Sequence, residues 1–181
     1  MEIACANEAF SSCSSSSIAT RFKYDVFLSF SGKDTRKSFT SHLLAALERY
    51  GFHTFIDDKE LKRGEYINSE LLKAIEESRI SLVVLSKNYA TSRWCLDELV
   101  KIMECREKLQ QSVYPIFYGV EPSDVRAQKG SLAKAFATHA KRFKEGSEER
   151  MKKWRKALAE VANLSGWDLP NVANGYFHPP L

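Results

Sequence analysis

Tyr24-Asp25-Val26-Phe27-Leu28-Ser29-Phe30, followed at once by Ser31-Gly32-Lys33-Asp34-Thr35-Arg36, is the stretch that decides the fold. Val26, Phe27 and Leu28 are consecutive apolar residues, so the segment reads as a strand covered on both faces. A short polar loop with one glycine follows. From Phe39 the pattern changes to a helical period, with Leu43, Leu44, Leu47 and Tyr50 recurring as a core stripe and Glu48 and Arg49 outside it. Strand, polar loop and helix in that order are the first half of a crossover unit of a parallel sheet.

The same alternation repeats downstream. Short apolar runs at 53–56, 80–86 and 113–118 read as further strands, and segments at 67–78, 93–109, 131–142 and 148–164 carry helical periodicity. The expected fold is α/β, a flavodoxin-like doubly wound parallel sheet in strand order 2-1-3-4, as a single domain. The length of 181 residues suits one core rather than two. Residues 1–21, with Ser11, Ser12 and the run from Ser14 to Ser17, are expected to form a disordered leader, residues 22–167 the domain, and residues 168–181 a tail.

Composition narrows the function classes. No apolar run approaches the roughly 18 residues that a membrane helix needs, so a soluble domain without a membrane partner is expected. The net charge of +4 resides in one place: residues 141–160 carry 8 basic and 4 acidic side chains. Such a stretch is usually a solvated helix face, and no base-reading motif accompanies it, so nucleic acid is not an expected partner. Cys5, Cys13, Cys95 and Cys105 contain no C-x-x-C pair, which argues against zinc or a disulfide framework. The leader lacks the basic and apolar regions of a secretory signal, so the cytoplasm is the expected compartment, with the nucleus as a second option.

In a doubly wound sheet, ligands bind at the carboxyl ends of the strands beside the point where strand order reverses. That rule selects the loops at 31–38, 57–64 and 87–92. The Gly32-Lys33 pair of the first loop invites a phosphate-loop reading, but the upstream glycine of that motif is missing. A response-regulator phosphoacceptor belongs after the third strand, where this chain has Ser86-Lys87; Asp57 and Asp58 stand one strand too early. The second loop, Asp57-Asp58-Lys59-Glu60-Leu61-Lys62-Arg63-Gly64, is dense in charge around one leucine and reads by default as a solvated mobile loop. The third leads to Ser92-Arg93-Trp94-Cys95-Leu96-Asp97-Glu98-Leu99, in which Ser92 suits an N-cap and Trp94 and Glu98 share a helix face. Taken alone, Glu98 is a solvated carboxylate and Asp97 with Lys101 a surface pair; the position of this face, at the predicted crevice, argues for more.

These segments, with Tyr114-Pro115-Ile116-Phe117-Tyr118 and Pro122-Ser123-Asp124-Val125-Arg126, resemble plant Toll/interleukin-1 receptor (TIR) domains, in family order and over residues 22–167. The resemblance implies hydrolysis of the nicotinamide glycosidic bond of NAD, with NAD as substrate and no bound cofactor or metal. It assigns Glu98 the catalytic carboxylate. Ser31, Gly32, Arg36, Ser92 and Trp94 would contribute to the substrate site, together with Asp57, Asp58, Leu61 and Gly64 of the loop by which neighbouring subunits complete one another's sites. It also places Ser41 and His42, with the helix at 148–164, in a helix-to-helix self-association surface. The partners it implies are other TIR domains and plant immune receptors or signalling proteins.

Two departures from the family pattern bear on activity. Most plant relatives carry an arginine directly after the Ser-Phe of the first strand, where this chain has Ser31, and losing a guanidinium weakens the hold on an anionic ligand. Receptors of this family also continue into an ATPase and a leucine-rich repeat, and no complete phosphate loop occurs here. The chain is therefore read as TIR-only, whether natural, truncated or excised. The competing expectation is a catalytically weak interaction module of defence signalling.

Overall fold

The computed structural model describes residues 22–56, 69–142 and 148–169. In chain order the elements are β1 (Tyr24–Phe30), α1 (Gly32–Thr35), α2 (Phe39–Arg49), β2 (Thr54–Ile56), α3 (Ser69–Glu76), β3 (Ser78–Ser86), a 3-10 turn (Tyr89–Thr91), α4 (Arg93–Leu109), β4 (Ser112–Tyr118), α5 (Pro122–Ala127), α6 (Ser131–Arg142), α7 (Glu148–Val161) and β5 (Trp167–Leu169). The strands form one sheet in the order β2-β1-β3-β4-β5, and every pairing is parallel. The expected order is thus present, extended by one strand. β1, α4 and α6 have the anticipated bounds, and the other expected elements differ only at their ends.

Alternation along β1 explains how the sheet is covered. Phe27 faces one side with Val83, Leu85 and Phe117, in a core closed by buried residues of α3, α4, α6 and α7 such as Ile75, Leu96, Leu99, Phe136, Trp154 and Leu158. Val26, Leu28 and Phe30 face the other side with Leu82, Val84 and Ile116, against Phe39, Leu43 and Leu47 of α2. Each large side chain buried here stabilises the fold by about 1.5–3 kcal/mol. The two faces are unequal. Among the described residues the second is roofed by α2 alone, and there Tyr114 and Trp167 are exposed with their rings 5.8 Å apart.

Two expectations need correction. The α2 stripe is a half-buried seam: Leu43, Leu44 and Leu47 are only partly covered, and Tyr50, its last member, is the C-cap residue and 77% exposed. α2 and α7 also lie on opposite faces of the sheet, since they belong to different core clusters. They do not form one composite surface.

Strand β5 was not foreseen. It is three residues long and includes Asp168, too short for a hydrophobic pattern. Gly166 lets it approach β4, because a Cβ there would stand 2.2 Å from the carbonyl oxygen of Pro115.

Candidate functional site

The crevice follows from register. β1 pairs with β2 on one edge and β3 on the other, and Phe30 lies opposite Val84, so the loops leaving β1 and β3 start side by side. Strand order reverses at this point, β2 lying to one side of β1 and β3 to the other while all strands stay parallel, as the ligand-site rule requires.

The first loop is held by its own polar groups. The carbonyl of Ser31 accepts hydrogen bonds from the N–H groups of Asp34 (3.1 Å) and Thr35 (3.3 Å), and also from the Thr35 hydroxyl (3.3 Å). Thr40 donates in turn to that hydroxyl at 2.7 Å, with both threonines buried. Ser31 itself is buried at the start of α1. Arg36 folds back, its guanidinium 5.1 Å from the centroid of the Phe30 ring, and a Cβ on Gly32 would meet Arg36 Nε at 2.9 Å. With no Cβ at Gly32, the flexible Arg36 side chain lies close over the end of β1. Its cationic head stays in the crevice loop, where Ser31 contributes only a buried hydroxyl.

The loops after β1 and β3 are tied together. The Asp34 carboxylate accepts from the backbone N–H of Asn88 at 2.7 Å and from its side-chain amide at 2.6 Å. Burial tends to raise the Asp34 pKa. The Asn88 bonds, the nearby Ser86 hydroxyl and the Lys33 charge outweigh it, and the net shift is downward.

α4 begins where the loop after β3 ends. Ser92 caps it, its hydroxyl accepting from Cys95 N–H at 3.3 Å, and the Cys95 thiol reaches back to the carbonyl of Phe30 at 3.4 Å. That contact sets the first turn of α4 against the end of β1. Trp94 is half-buried on the outer part of the turn, with the Arg93 guanidinium 5.8 Å from its ring.

Glu98, one turn further in, is not the solvated carboxylate that its local sequence suggests. It is 5% exposed, and its Oε2 accepts from the Ser29 hydroxyl at 2.7 Å. Tyr89, fully buried beneath, stands 2.9 Å from Ser29 Oγ and donates to the carbonyl of Cys95 at 3.0 Å. Burial first, then neighbouring Cys95 and Glu98, push the Tyr89 phenol well above its ordinary value, so it remains protonated. Ser29 and Tyr89 were not named from the sequence. Ser29 alternates with Phe27 on the α4 side of β1, a signal that could have found the serine but not its partner.

Asp97 does not pair with Lys101. It accepts from the Arg150 guanidinium, with Nε at 3.1 Å, and from the indole N–H of Trp154 at 2.7 Å, while Lys101 bonds Glu76. Adjacent carboxylates therefore diverge in role: Asp97 fastens α4 to α7, and Glu98 points under the crevice.

Of the other expected site residues, Ser41 and His42 are exposed on the first turns of α2, with the Ser41 hydroxyl donating to the carbonyl of Ser38 at 2.8 Å. Asp57, Asp58, Leu61 and Gly64 lie outside the described residues. The basic stretch is partly balanced by its own surroundings. Besides Arg150 on Asp97, Lys152 is near Glu149, Lys156 near Glu160, and Arg155 bonds Gln128 and lies over Phe136. Among the described residues no cluster of three or more His, Cys, Asp or Glu side chains could hold a metal, and no helix is long and apolar enough to cross a membrane.

Comparison with known proteins agrees with this architecture. The family profile described as TIR domain matches residues 23–175. The chain is 58% identical over 161 residues to the disease resistance protein RPV1 of Vitis rotundifolia, covering 89% of this chain and 11% of that protein. It is 59% identical over 152 residues to the TMV resistance protein N of Nicotiana glutinosa, covering 84% of this chain and 13% of that one. It thus spans only a small part of these relatives' length. Among solved structures, the TIR domains of the activated Roq1 resistosome directly recognizing the pathogen effector XopQ superimpose with a TM-score of 0.74 at 56% identity, covering 84% of this chain and 92% of that chain.

Proposed function

The chain belongs to the TIR domain family, and on that premise we propose that it is an NAD nucleosidase of plant immune signalling, switched on by self-association. The observation that carries the reading is Glu98, a buried carboxylate at the carboxyl ends of β1 and β3, one helical turn from the half-buried ring of Trp94.

The chemistry matches so sparse a site. Nicotinamide is bound to ribose as a cationic pyridinium. When the glycosidic bond breaks, the electron pair leaves with the ring, which departs neutral and needs no proton. The paired acid and base of ordinary glycosidases are therefore not both required. What needs help is the positive charge growing on the ribose carbon, and an ionised carboxylate fixed in a low-dielectric pocket supplies that stabilisation. Water can then capture the cation, losing a proton, to give ADP-ribose, or a nucleophile of the same molecule can capture it to give a cyclic product. Trp94 offers a flat apolar wall to a ring. Arg36 supplies positive charge toward the pyrophosphate. Asp57, Asp58, Leu61 and Gly64 of a neighbouring copy would complete the pocket, with Ser41 and His42 in the contact that brings the copies together. The Roq1 match supports this reading, because those TIR domains belong to an activated resistosome.

A second reading, an interaction module of little activity, is favoured by Ser31, a buried hydroxyl where relatives of the family pattern carry an arginine. Incubating the purified chain with NAD at high protein concentration and under crowding, and following nicotinamide release, separates the two. Release supports the enzyme, and chromatography of the same reaction identifies the product. Silence under both conditions supports the module.

A further inference from the structure

Behind Glu98 lie two hydroxyls that the proposed reaction does not use, those of Ser29 and Tyr89. A serine hydroxyl has one proton, and toward an ionised Glu98, which can only accept, Ser29 gives that proton to Oε2 at 2.7 Å. Ser29 therefore has none left for Tyr89, whose oxygen lies 2.9 Å away. In that contact Tyr89 must be the donor, its proton shared between Ser29 Oγ and the carbonyl of Cys95. All three side chains are almost wholly buried: Ser29 and Tyr89 are each 1% exposed and Glu98 is 5% exposed.

We infer that Ser29 and Tyr89 are positioning residues for Glu98, a buried relay of donors that fixes one carboxylate oxygen and keeps the group ionised inside the protein. This rests on the reading of Glu98 as the carboxylate that stabilises the developing cation. Such a carboxylate faces opposing demands. It must be out of water to act strongly on a nearby charge, yet withdrawal from water favours its neutral form, which has no charge to offer. A hydrogen bond donated to the ionised form resolves the conflict, and a second donor behind the first polarises it further. Burial keeps the Tyr89 phenol protonated, so the chain of donors stays intact across the working pH range.

The elements that carry the relay explain its rigidity. Ser29 sits on β1, paired with Val83 of β3 in mid-sheet. Tyr89 belongs to the 3-10 turn tied to Asp34 through Asn88, and its proton also engages the first turn of α4. Glu98 is thus aimed by the strand, the turn and the helix that meet at the crevice.

Carbon-13 NMR titration of the glutamate carboxyls in the full chain tests this without requiring turnover, with the Glu98 signal assigned by its loss in Glu98→Gln. In Ser29→Ala the Glu98 titration should move to higher pH. Ser29→Thr, which keeps a hydroxyl, should largely restore it, and Tyr89→Phe should move it in the same direction as Ser29→Ala by less. With NAD, Ser29→Ala should lower kcat about tenfold, the loss of one hydrogen bond to a charged group. KM should change little, and the acidic limb of the pH profile should move up. A folded Ser29→Ala in which Glu98 titrates as in wild type, or a Ser29→Thr that titrates like Ser29→Ala, overturns the relay. If the titration shifts as expected while wild type releases no nicotinamide, the relay stands and the NAD-cleavage reading falls.

Discussion

Asp34 binds both donors of Asn88, the backbone N–H at 2.7 Å and the side-chain amide at 2.6 Å, and so locks the loop after β1 to the loop after β3. Asn88 immediately precedes Tyr89, so this clamp sets the turn on which the buried relay depends. Asp34→Ala leaves two partly buried donors unmatched, a cost of about 1–3 kcal/mol. The expected result is a thermal midpoint lower by about 5 °C and reduced nicotinamide release. Asp34→Asn keeps one acceptor and should fall between the two. Differential scanning calorimetry of the three proteins checks the order; equal midpoints would show that the clamp holds nothing.

His139 gives the domain a sensitivity to mild acid. Its Nε2 lies 2.9 Å from the carbonyl of Ala90, so that nitrogen carries the proton of the neutral ring, which also packs on Trp154. Burial, together with the charges of Arg93, Arg142 and Arg150, outweighs the Ala90 bond and holds its pKa below the ordinary 6.5. The folded state therefore binds this proton less readily than the unfolded chain. The associated stability is fully present above the unfolded value and is lost as pH falls through the folded one. Wild type should lose thermal stability as pH is lowered below about 6.5, and His139→Gln should flatten that slope. Identical slopes would remove His139 from the account.

Much of the fold was legible because burial writes itself locally. β1, β3 and β4 are strands with apolar residues on both faces, and α4 announces itself through Ser92 and the period that follows. β5 escaped notice because its existence depends on Gly166 meeting Pro115, a tertiary contact with no periodic trace. The site was legible in position more than in chemistry. Glu98 stood out from its place at the crevice, yet its burial could not be read, since its donor Ser29 lies 69 residues away. Asp97 failed for the same reason, with Arg150 at a separation of 53 residues. Tyr50 failed in the opposite sense, continuing an apolar period beyond the surface that the helix covers.

Self-association through the exposed start of α2 is expected to govern turnover, because the loop at 57–64 of one copy would complete the site of another. His42→Ala should reduce both the sedimentation-detected oligomer and NAD cleavage while leaving the monomer folded. Fusion to an oligomeric carrier should restore part of the activity. A variant that cleaves NAD at the wild-type rate while dilute and monomeric would mean that each site is complete within one chain.

Ser31 tests whether nucleotide binding limits this protein. Ser31→Arg, alone or with Lys33→Glu, should raise turnover at subsaturating NAD several-fold, since a guanidinium adds charged hydrogen bonds of about 1.5 kcal/mol or more. Because Ser31 is 3% exposed, calorimetry must accompany the kinetics to show that the larger side chain is accommodated. Unchanged turnover in a folded, equally associated variant would locate the bottleneck elsewhere.

The carboxylate of Glu98 carries the functional reading, and the rate of nicotinamide release by wild type beside Glu98→Ala and Glu98→Gln, at matched high concentration and matched oligomeric state, tests it most directly. Wild type should release nicotinamide, and both variants should fall by at least about a hundredfold, the scale of losing a principal electrostatic group of an active site. Glu98→Ala releasing nicotinamide as fast as wild type would contradict the assignment outright.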